Sequence, residues 1–206
     1  MEPQFWHNLV VEKSFVFLQE LRKHFQFVLI GGWAVYFYTN ALKSKDIDII
    51  VEFEELEKLK MQFPLIKNER LRKYEIKAQG FDVDIYLPYF SQLGLPLDFV
   101  MAHTVLLKGF QLPKKEILLA LKLLVYTKRK ASLKGKKDMI DIISLLYHGR
   151  ASISELQSIL IAHRQDELLD VLGSLLKEIY EVKEVGLHRK AFADLKKSIL
   201  NQIYGK

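Results

Sequence analysis

The chain has 206 residues, half of them hydrophobic, which is enough for a sizeable core in one domain or two small ones. It has no cysteine, which excludes disulfide frameworks and thiolate metal sites. Its net charge is +6. Residues 1–110 carry 13 Lys and Arg against 14 Asp and Glu, whereas residues 111–206 carry 18 against 11. The basic second half suits an anionic partner, and an ordinary lysine-rich surface would explain it equally well.

The sequence also lacks the patterns of export and of membrane insertion. No charged segment followed by an apolar one stands at the start, so a signal peptide is not expected. No apolar run reaches the ~20 residues needed to cross a bilayer. We therefore expect a cytoplasmic protein that does not bind membranes.

The first part of the chain predicts a helix, a strand, a tight turn, a second helix and a second strand. Residues 4–25 repeat apolar side chains at a helical period, as one long or two short helices. An apolar run over residues 27–30 ends at Gly31 and Gly32, and residues 33–42 are compatible with a helix. Glycine adopts backbone angles that other residues avoid, which suits the turn from strand into helix.

Two carboxylates lie at the beginning of the second strand, residues 46–51. Residues i and i+2 of a strand point to the same face, so Asp46 and Asp48 project side by side. Adjacent carboxylates repel each other unless a cation lies between them, and oxygen ligands of this kind suit Mg²⁺. A plain strand–helix turn would explain the glycine pair alone, but not the carboxylates that follow it.

A third strand offers two more carboxylates. After a helix over residues 52–63 that Pro64 ends, residues 81–87 alternate, with Phe81, Val83 and Ile85 on one face. Asp82 and Asp84 lie on the other face. Either could join the first pair. We favour Asp84, because it is deeper in the strand and Asp82 is nearer the turn at Gly80. Solvated aspartates on an exposed face are the alternative.

The second part of the chain is predicted to be mainly helical. Residues 88–115 are interpreted as loop and short strands, including a hairpin of residues 104–107 and 110–112. An apolar helix over residues 116–126 contains Lys122, which must reach solvent or meet an anion. The basic segment 128–137 leads into a second apolar helix that begins with Asp138 and Asp141. These two carboxylates suit capping and salt bridges as well as they suit catalysis.

The motifs resemble those of the nucleotidyltransferase superfamily, which includes DNA polymerase beta and the minimal nucleotidyltransferases. That family has a hydrophobic residue and Gly-Gly or Gly-Ser, then, about a dozen residues later, Asp-hydrophobic-Asp-hydrophobic. Ile30-Gly31-Gly32 and Asp46-Ile47-Asp48-Ile49 match this pattern. The AbiEii-type toxins in this superfamily have a helix with Leu-x-x-x-Lys-Leu, a basic segment and Lys-Asp-x-x-Asp. The matching positions here are Lys122, Arg129, Lys137, Asp138 and Asp141.

The resemblance implies an α+β nucleotidyltransferase fold, a small mixed sheet with flanking helices, over residues 1–113. A C-terminal helical bundle follows over residues 114–206. It also implies nucleotidyl transfer from a nucleoside triphosphate to a hydroxyl acceptor such as tRNA or another RNA, a protein or a small molecule. Two Mg²⁺ or Mn²⁺ ions would be held by Asp46, Asp48 and Asp84, with Asp82 as the alternative to Asp84. The expected nucleotide-binding residues are Gly31, Gly32, Ser44, Lys45, Lys122, Arg129 and Lys137.

Two further interpretations compete with this one. A catalytically silent member of the fold would bind nucleotides or nucleic acid without transfer. A small helical nucleic-acid-binding protein would depend on the basic segment 128–137 alone, and its binding would weaken steeply with salt. The AbiEii resemblance adds an antitoxin protein as an expected partner.

Overall fold

The structure is a computed structural model that describes residues 3–205. Its first part alternates helices and short strands around one sheet. In chain order the elements are α1 (Pro3–His24), β1 (Val28–Ile30), α2 (Gly31–Thr39), β2 (Ile47–Ile50), α3 (Phe53–Gln62), β3 (Ile66–Asn68), β4 (Lys73–Lys77), β5 (Asp82–Tyr86), α4 (Leu97–Ala102), β6 (Thr104–Leu107) and β7 (Phe110–Pro113).

The strands form one mixed seven-stranded sheet in the order β3-β4-β5-β2-β1-β7-β6. The central pair, β2 and β5, is parallel, and β1 runs antiparallel to β2. The β6–β7 hairpin is confirmed and adds to β1 through a parallel pairing. This arrangement brings the two Asp-containing strands next to each other, although 31 residues of chain, residues 51–81, separate them.

The alternation in the sequence explains how these strands are buried. In β5, Val83 and Ile85 are fully buried, whereas Asp82 and Asp84 are half-buried on the opposite face. The predicted alternation of this strand is therefore confirmed. Helix α2 is almost entirely apolar, and such a helix must be covered on most sides. Its Trp33 is 1% exposed and donates from Nε1 to the buried hydroxyl of Ser14 on α1, at 3.0 Å.

The prediction of loop and short strands over residues 88–115 was wrong at one point. Residues 97–102 form the helix α4. Pro96 precedes its first turn, and the side chains of Leu97 and Val100 are buried. Six residues are too few to show a helical period, so burial of these two side chains, rather than intrinsic propensity, explains the helix.

The second part of the chain is helical, as predicted. Its elements are α5 (Lys115–Arg129), α6 (Leu133–Tyr147), α7 (Ile153–Ala162), α8 (Leu168–Glu178), a short 3₁₀ helix (Lys183–Val185) and α9 (Arg189–Tyr204). Helix α7 begins at a serine N-cap, because the hydroxyl of Ser152 accepts from the amide of Glu155 at 3.3 Å. This is the serine half of the Ser-x-x-Glu capping pattern.

The chain divides into two compact units. One comprises the chain up to Phe37 together with Lys43–Lys114, and contains the sheet. The other comprises Tyr38–Leu42 and the chain from Lys115 onward, and contains the helices α5 to α9. The mixed sheet with flanking helices and the helical C-terminal part agree with the predicted α+β fold class. None of the helices described between residues 3 and 205 is both long and apolar enough to cross a membrane.

We expect Ser14→Ala to lower the free energy of unfolding of the first unit by about 1–3 kcal/mol, because the buried indole N–H of Trp33 would lose its acceptor. Chemical denaturation followed by tryptophan fluorescence measures this change. The matched control is Thr104→Ala on the edge strand β6, whose exposed hydroxyl bonds Gln111 on the adjacent strand β7. That substitution should cost less than about 0.5 kcal/mol. Equal losses in the two variants would contradict a special role for the buried bond.

Candidate functional site

The register between β2 and β5 brings the predicted carboxylates together. Asp48 and Asp84 are direct Cα partners across the two parallel strands. Paired residues on neighbouring strands direct their side chains to the same face, so these two carboxylates lie side by side. Asp46 precedes β2 by one residue and accepts from the backbone amide of Asp82 through Oδ1, at 3.2 Å. All four aspartates therefore lie on one face at the centre of the sheet.

The structure distinguishes the two candidates on β5. The Asp82 side chain is 43% exposed and pairs with the exposed ammonium of Lys77 at 2.9 Å. The Asp84 side chain is 18% exposed, and its Oδ1 is buried with no hydrogen-bond partner among the described residues. Burial raises the pKa of Asp84 above its ordinary value, while its bond to Lys73 acts in the opposite direction. Asp84 therefore has the position and the unsatisfied oxygen that a cation ligand needs.

A lysine forms an ion pair with Asp84. Lys73 on β4 bonds Asp84 Oδ2 at 2.6 Å and Glu75 Oε1 at 3.0 Å, and its side chain is 11% exposed. Burial acts to lower the pKa of Lys73, but the bonds to Asp84 and Glu75 outweigh it and raise that pKa. Lys73 is therefore a firmly charged counter-ion of this carboxylate group.

Lys73 and Glu75 are site residues that sequence reasoning missed. Their signal was weak but present, because Lys73 and Glu75 are two residues apart in a short run with partial alternation. Their importance depends on the pairing of β4 with β5, where Glu75 is the Cα partner of Asp84. That register depends on contacts between strands, which the sequence of β4 alone does not reveal.

The first glycine of the predicted turn lies against a carboxylate of the site. Gly31 has a φ of +68°, a backbone conformation that favours glycine. A Cβ atom at this position would overlap the Asp48 carboxylate group. Ile30, the residue before it, is the Cα partner of Asp48 across β1 and β2. Gly32 is buried in the first turn of α2. Gly31 is therefore required both by its backbone angle and by the space that Asp48 occupies.

The polar residues before β2 have different surroundings. Ser44 is 4% exposed, and its hydroxyl donates to the backbone oxygen of Asp46 at 2.9 Å. It therefore supports the chain that carries Asp46. Lys45 is exposed and pairs with Asp46 Oδ1 at 3.7 Å. Lys45 is thus a positive charge on the solvent side of the carboxylates, where an anionic ligand would meet it.

The carboxylates of this site are the candidate ligands for the metal that the resemblance implies. No three His, Asp or Glu side chains in the part of the chain that the structure describes are grouped so that all could hold one ion. Asp84 instead bonds Lys73. The chemistry nevertheless fits a hard divalent cation, because carboxylate oxygens are its preferred ligands and Asp84 Oδ1 is buried without a partner. Asp46, Asp48 and Asp84 are the residues that would hold it, after Asp84 turns away from Lys73.

The predicted phosphate-binding residues of the helical unit form a buried ion network. Lys122 on α5 is 9% exposed and pairs with Asp141 Oδ2 at 2.6 Å and Asp138 Oδ1 at 3.4 Å. Arg129 holds Asp138 through two bonds, from Nε at 2.6 Å and Nη2 at 2.9 Å. Asp138 and Asp141 are 1% and 0% exposed. The structure therefore joins the matched residues of the two helices through salt bridges, and Lys137, half-buried at the start of α6, lies beside them in sequence.

We expect Lys122→Met to destabilise the helical unit by about 3–5 kcal/mol, because it would leave the Asp141 charge buried without its partner. Thermal or urea unfolding followed by circular dichroism measures this. Lys130→Met is the control, since its ammonium is exposed and lies 4.0 Å from an exposed Glu178. That change should cost less than about 0.5 kcal/mol. Unchanged stability in Lys122→Met would contradict the structural role of the pair.

We expect Gly31→Ala to be more harmful than the same change at Gly186. Both glycines have a φ of +68°, and a Cβ at Gly186 would meet no atom within 4 Å. The conformational cost of about 1–2 kcal/mol is therefore common to both substitutions. Any additional loss in Gly31→Ala comes from the overlap with Asp48. Denaturation curves of the two variants measure the difference, and equal losses would contradict the close packing of Gly31 on Asp48.

Comparisons with known proteins add information on the fold. No protein-family profile matches the chain, and no curated protein matches it. A candidate nucleotidyltransferase from Helicobacter pylori has a similar structure, with a TM-score of 0.50 and 19% identity over 100% of this chain and 98% of that chain.

Two other solved structures are less similar. JHP933 from Helicobacter pylori gives a TM-score of 0.48 with 18% identity, over 100% of this chain and 95% of that chain. An antigenic nucleotidyltransferase-like protein from Paracoccidioides brasiliensis gives 0.45 with 19% identity, over 85% and 95%. The H. pylori likeness at 0.50, together with the mixed sheet described above, confirms the predicted fold class: the chain has a nucleotidyltransferase-like α+β fold.

Proposed function

We propose that the chain is a metal-dependent nucleotidyltransferase that moves a nucleoside monophosphate from a nucleoside triphosphate to a hydroxyl acceptor. The observation that carries this proposal is the register of Asp48 with Asp84, with Gly31 packed against Asp48. A plain structural sheet has no need of four carboxylates on one face at its centre. Mutual repulsion makes such a cluster costly unless cations neutralise it, and Lys45, Lys73 and Lys77 supply part of that positive charge.

In the proposed reaction, a hydroxyl oxygen attacks the α-phosphorus and pyrophosphate leaves. Two Mg²⁺ or Mn²⁺ ions would neutralise the phosphate charge and lower the pKa of the attacking hydroxyl. Asp46 and Asp48 would hold the metal, with Asp84 on the side of the acceptor. The backbone at Gly31 and Gly32, at the beginning of α2, offers amides to phosphate oxygens. Lys45 adds a positive charge at the solvent side.

The acceptor is proposed by class only: an RNA such as tRNA, a protein or a small molecule. The basic segment 128–137 supports an RNA, because Lys128, Lys130, Lys134 and Lys136 are all exposed and phosphate contacts supply most of the non-specific affinity for nucleic acids. Relation to the AbiEii-type toxins, and with it an antitoxin partner, is part of the same proposal and rests on the Lys-Asp-x-x-Asp pattern.

A catalytically silent nucleotide-binding protein is a second candidate, and one observation favours it. Lys73 ties Asp84, the proposed third carboxylate, into an ion pair. If that pair never opens, Asp46 and Asp48 could still hold a metal–nucleotide complex, but the acceptor hydroxyl would lack its metal ligand. Such a protein would bind nucleotides in the presence of Mg²⁺ and would not transfer them.

We expect Asp48→Asn to abolish nucleotidyl transfer. Each of the four nucleoside triphosphates, labelled on its α-phosphate, is incubated with the protein, Mg²⁺ or Mn²⁺, and total cellular RNA or protein. The variant should transfer label at least about 100-fold more slowly, the order of loss when a single group stabilising transition-state charge is removed. Asp98→Asn, at an exposed carboxylate of α4 in the same unit, is the control and should keep full activity.

Full transfer by Asp48→Asn would contradict the proposed function. No transfer by the unaltered protein, combined with Mg²⁺-dependent nucleotide binding that Asp48→Asn removes, would identify the silent candidate instead. Thermal-shift measurements with each triphosphate, with and without Mg²⁺, provide that second readout.

A further inference from the structure

Three carboxylates form a row across adjacent strands of the sheet. Glu75 on β4 is the Cα partner of Asp84 on β5, and Asp84 is the Cα partner of Asp48 on β2. We call Glu75, Asp84 and Asp48 the carboxylate row. Paired residues share a face, so the three side chains project from the same side of the sheet. The row continues from the proposed metal site onto β4, where Glu75 lies next to Asp84.

Lys73 lies between two members of the carboxylate row. Its ammonium bonds Asp84 at 2.6 Å and Glu75 at 3.0 Å. Lys73 bonds Oδ2 of Asp84, and a divalent cation at the neighbouring Oδ1 would lie close to the ammonium group, where the two positive charges repel each other. Lys73 and a metal ion therefore compete for Asp84.

Glu75 is fixed independently of Lys73. Its Oε2 bonds Lys77 at 2.7 Å, and its Oε1 accepts from the side-chain amide of Asn68 at 3.0 Å. The bond to Lys77, followed by those to Lys73 and Asn68, lowers the pKa of Glu75 to about 2. Glu75 therefore has two partners, Lys77 and Asn68, that do not depend on the bond between Lys73 and Asp84.

We propose that Lys73 holds the place of the divalent cation at Asp84, and that it keeps Glu75 as its partner when the cation binds. This proposal rests on the proposed function. With no cation bound, Lys73 neutralises a carboxylate whose burial without a counter-ion would be costly. When Asp84 turns to the metal, the ammonium retains one anchor. Lys73 thereby lowers the affinity of the site for metal. Glu75 reduces the free-energy cost of moving the ammonium group away from Asp84.

This arrangement predicts opposite effects for two neighbouring residues that do not themselves bind the metal. Lys73→Met removes the competitor and should tighten Mn²⁺ binding. Glu75→Gln removes the charge to which Lys73 retreats, so it should hold Lys73 more firmly on Asp84 and weaken Mn²⁺ binding. If Glu75 were a direct ligand, its loss would weaken binding whether or not Lys73 were present.

The test measures the binding of Mn²⁺ alone, through the electron paramagnetic resonance signal of the free ion. We expect Lys73→Met to lower the dissociation constant by ~10-fold and Glu75→Gln to raise it by ~3-fold or more, the scale of one partly buried ion pair. When Lys73→Met is already present, Glu75→Gln should change the dissociation constant at least ~3-fold less than it does in the unaltered protein, because the effects of two residues in contact do not add. Lys67→Met, at an exposed lysine of β3 paired with Glu69, is the control and should change the constant less than ~2-fold.

Lys73→Arg provides a second test that keeps the charge and the fold. A guanidinium group binds carboxylates in a two-bond geometry, so this variant should hold Asp84 more firmly and bind Mn²⁺ about 3-fold more weakly. Tighter binding by Lys73→Arg, or unchanged binding by a folded Lys73→Met, would overturn the proposal. An undiminished effect of Glu75→Gln without Lys73 would also overturn it.

Asp48→Asn separates failure of this proposal from failure of the proposed function. If Asp48→Asn abolishes Mn²⁺ binding while Lys73→Met leaves it unchanged, only the role of Lys73 is wrong. If Asp48→Asn leaves Mn²⁺ binding intact in both the unaltered and the Lys73→Met proteins, the carboxylates do not form a metal site and the proposed function falls with it.

Discussion

The parallel pairing of β2 with β5 is the constraint on which the site depends. It places Asp48 beside Asp84 at the centre of the sheet, and the isoleucines and valine between the aspartates bury the opposite face. A shift of β5 by one residue in this pairing would turn Asp82 and Asp84 into the core. The apolar face therefore fixes the polar one, and packing of the core is what keeps like charges adjacent. Gly31 completes the arrangement, because only a residue without a side chain leaves room for the Asp48 carboxylate.

The charges near this site separate into two groups with different strengths of attachment. Lys45 and Lys77 are exposed and lie at the solvent side, where salt and water weaken their pairing with Asp46 and Asp82. Lys73 is largely covered and bonds two carboxylates of the row. Breaking the ion pairs of the exposed lysines costs little free energy. Displacing Lys73 costs more, and new contacts of Asp84 would have to offset that cost. A cation at the proposed metal site would therefore have to displace a covered lysine as well as compete with exposed ones.

Much of the fold and part of the candidate site could be predicted from the sequence. Period-two alternation identified β5, and the spacing of Gly31 and Gly32 from Asp46 and Asp48 indicated the strand–helix–strand order that the structure has. Local patterns carry this information because they reflect which face each residue presents. The roles of Lys73 and Glu75 could not be predicted in this way, since they arise from the pairing of β4 with β5. Helix α4 was missed because its formation depends on the burial of two side chains rather than on a repeated pattern.

The buried network of the helical unit shows why a motif match does not by itself assign a role. Lys122, Arg129, Asp138 and Asp141 occur at the spacing that resembles the AbiEii-type enzymes, and in the structure they form ion pairs with one another. Asp141 Oδ1 is nevertheless buried with no hydrogen-bond partner among the described residues. A lysine in an apolar helix needs an anion, and two aspartates one turn apart on the next helix provide it. Packing of α5 on α6 would select these residues even without a substrate. The proposed phosphate binding by this unit is therefore supported by its exposed lysines. The proposed catalysis is supported by the sheet, where four aspartates lie on one face.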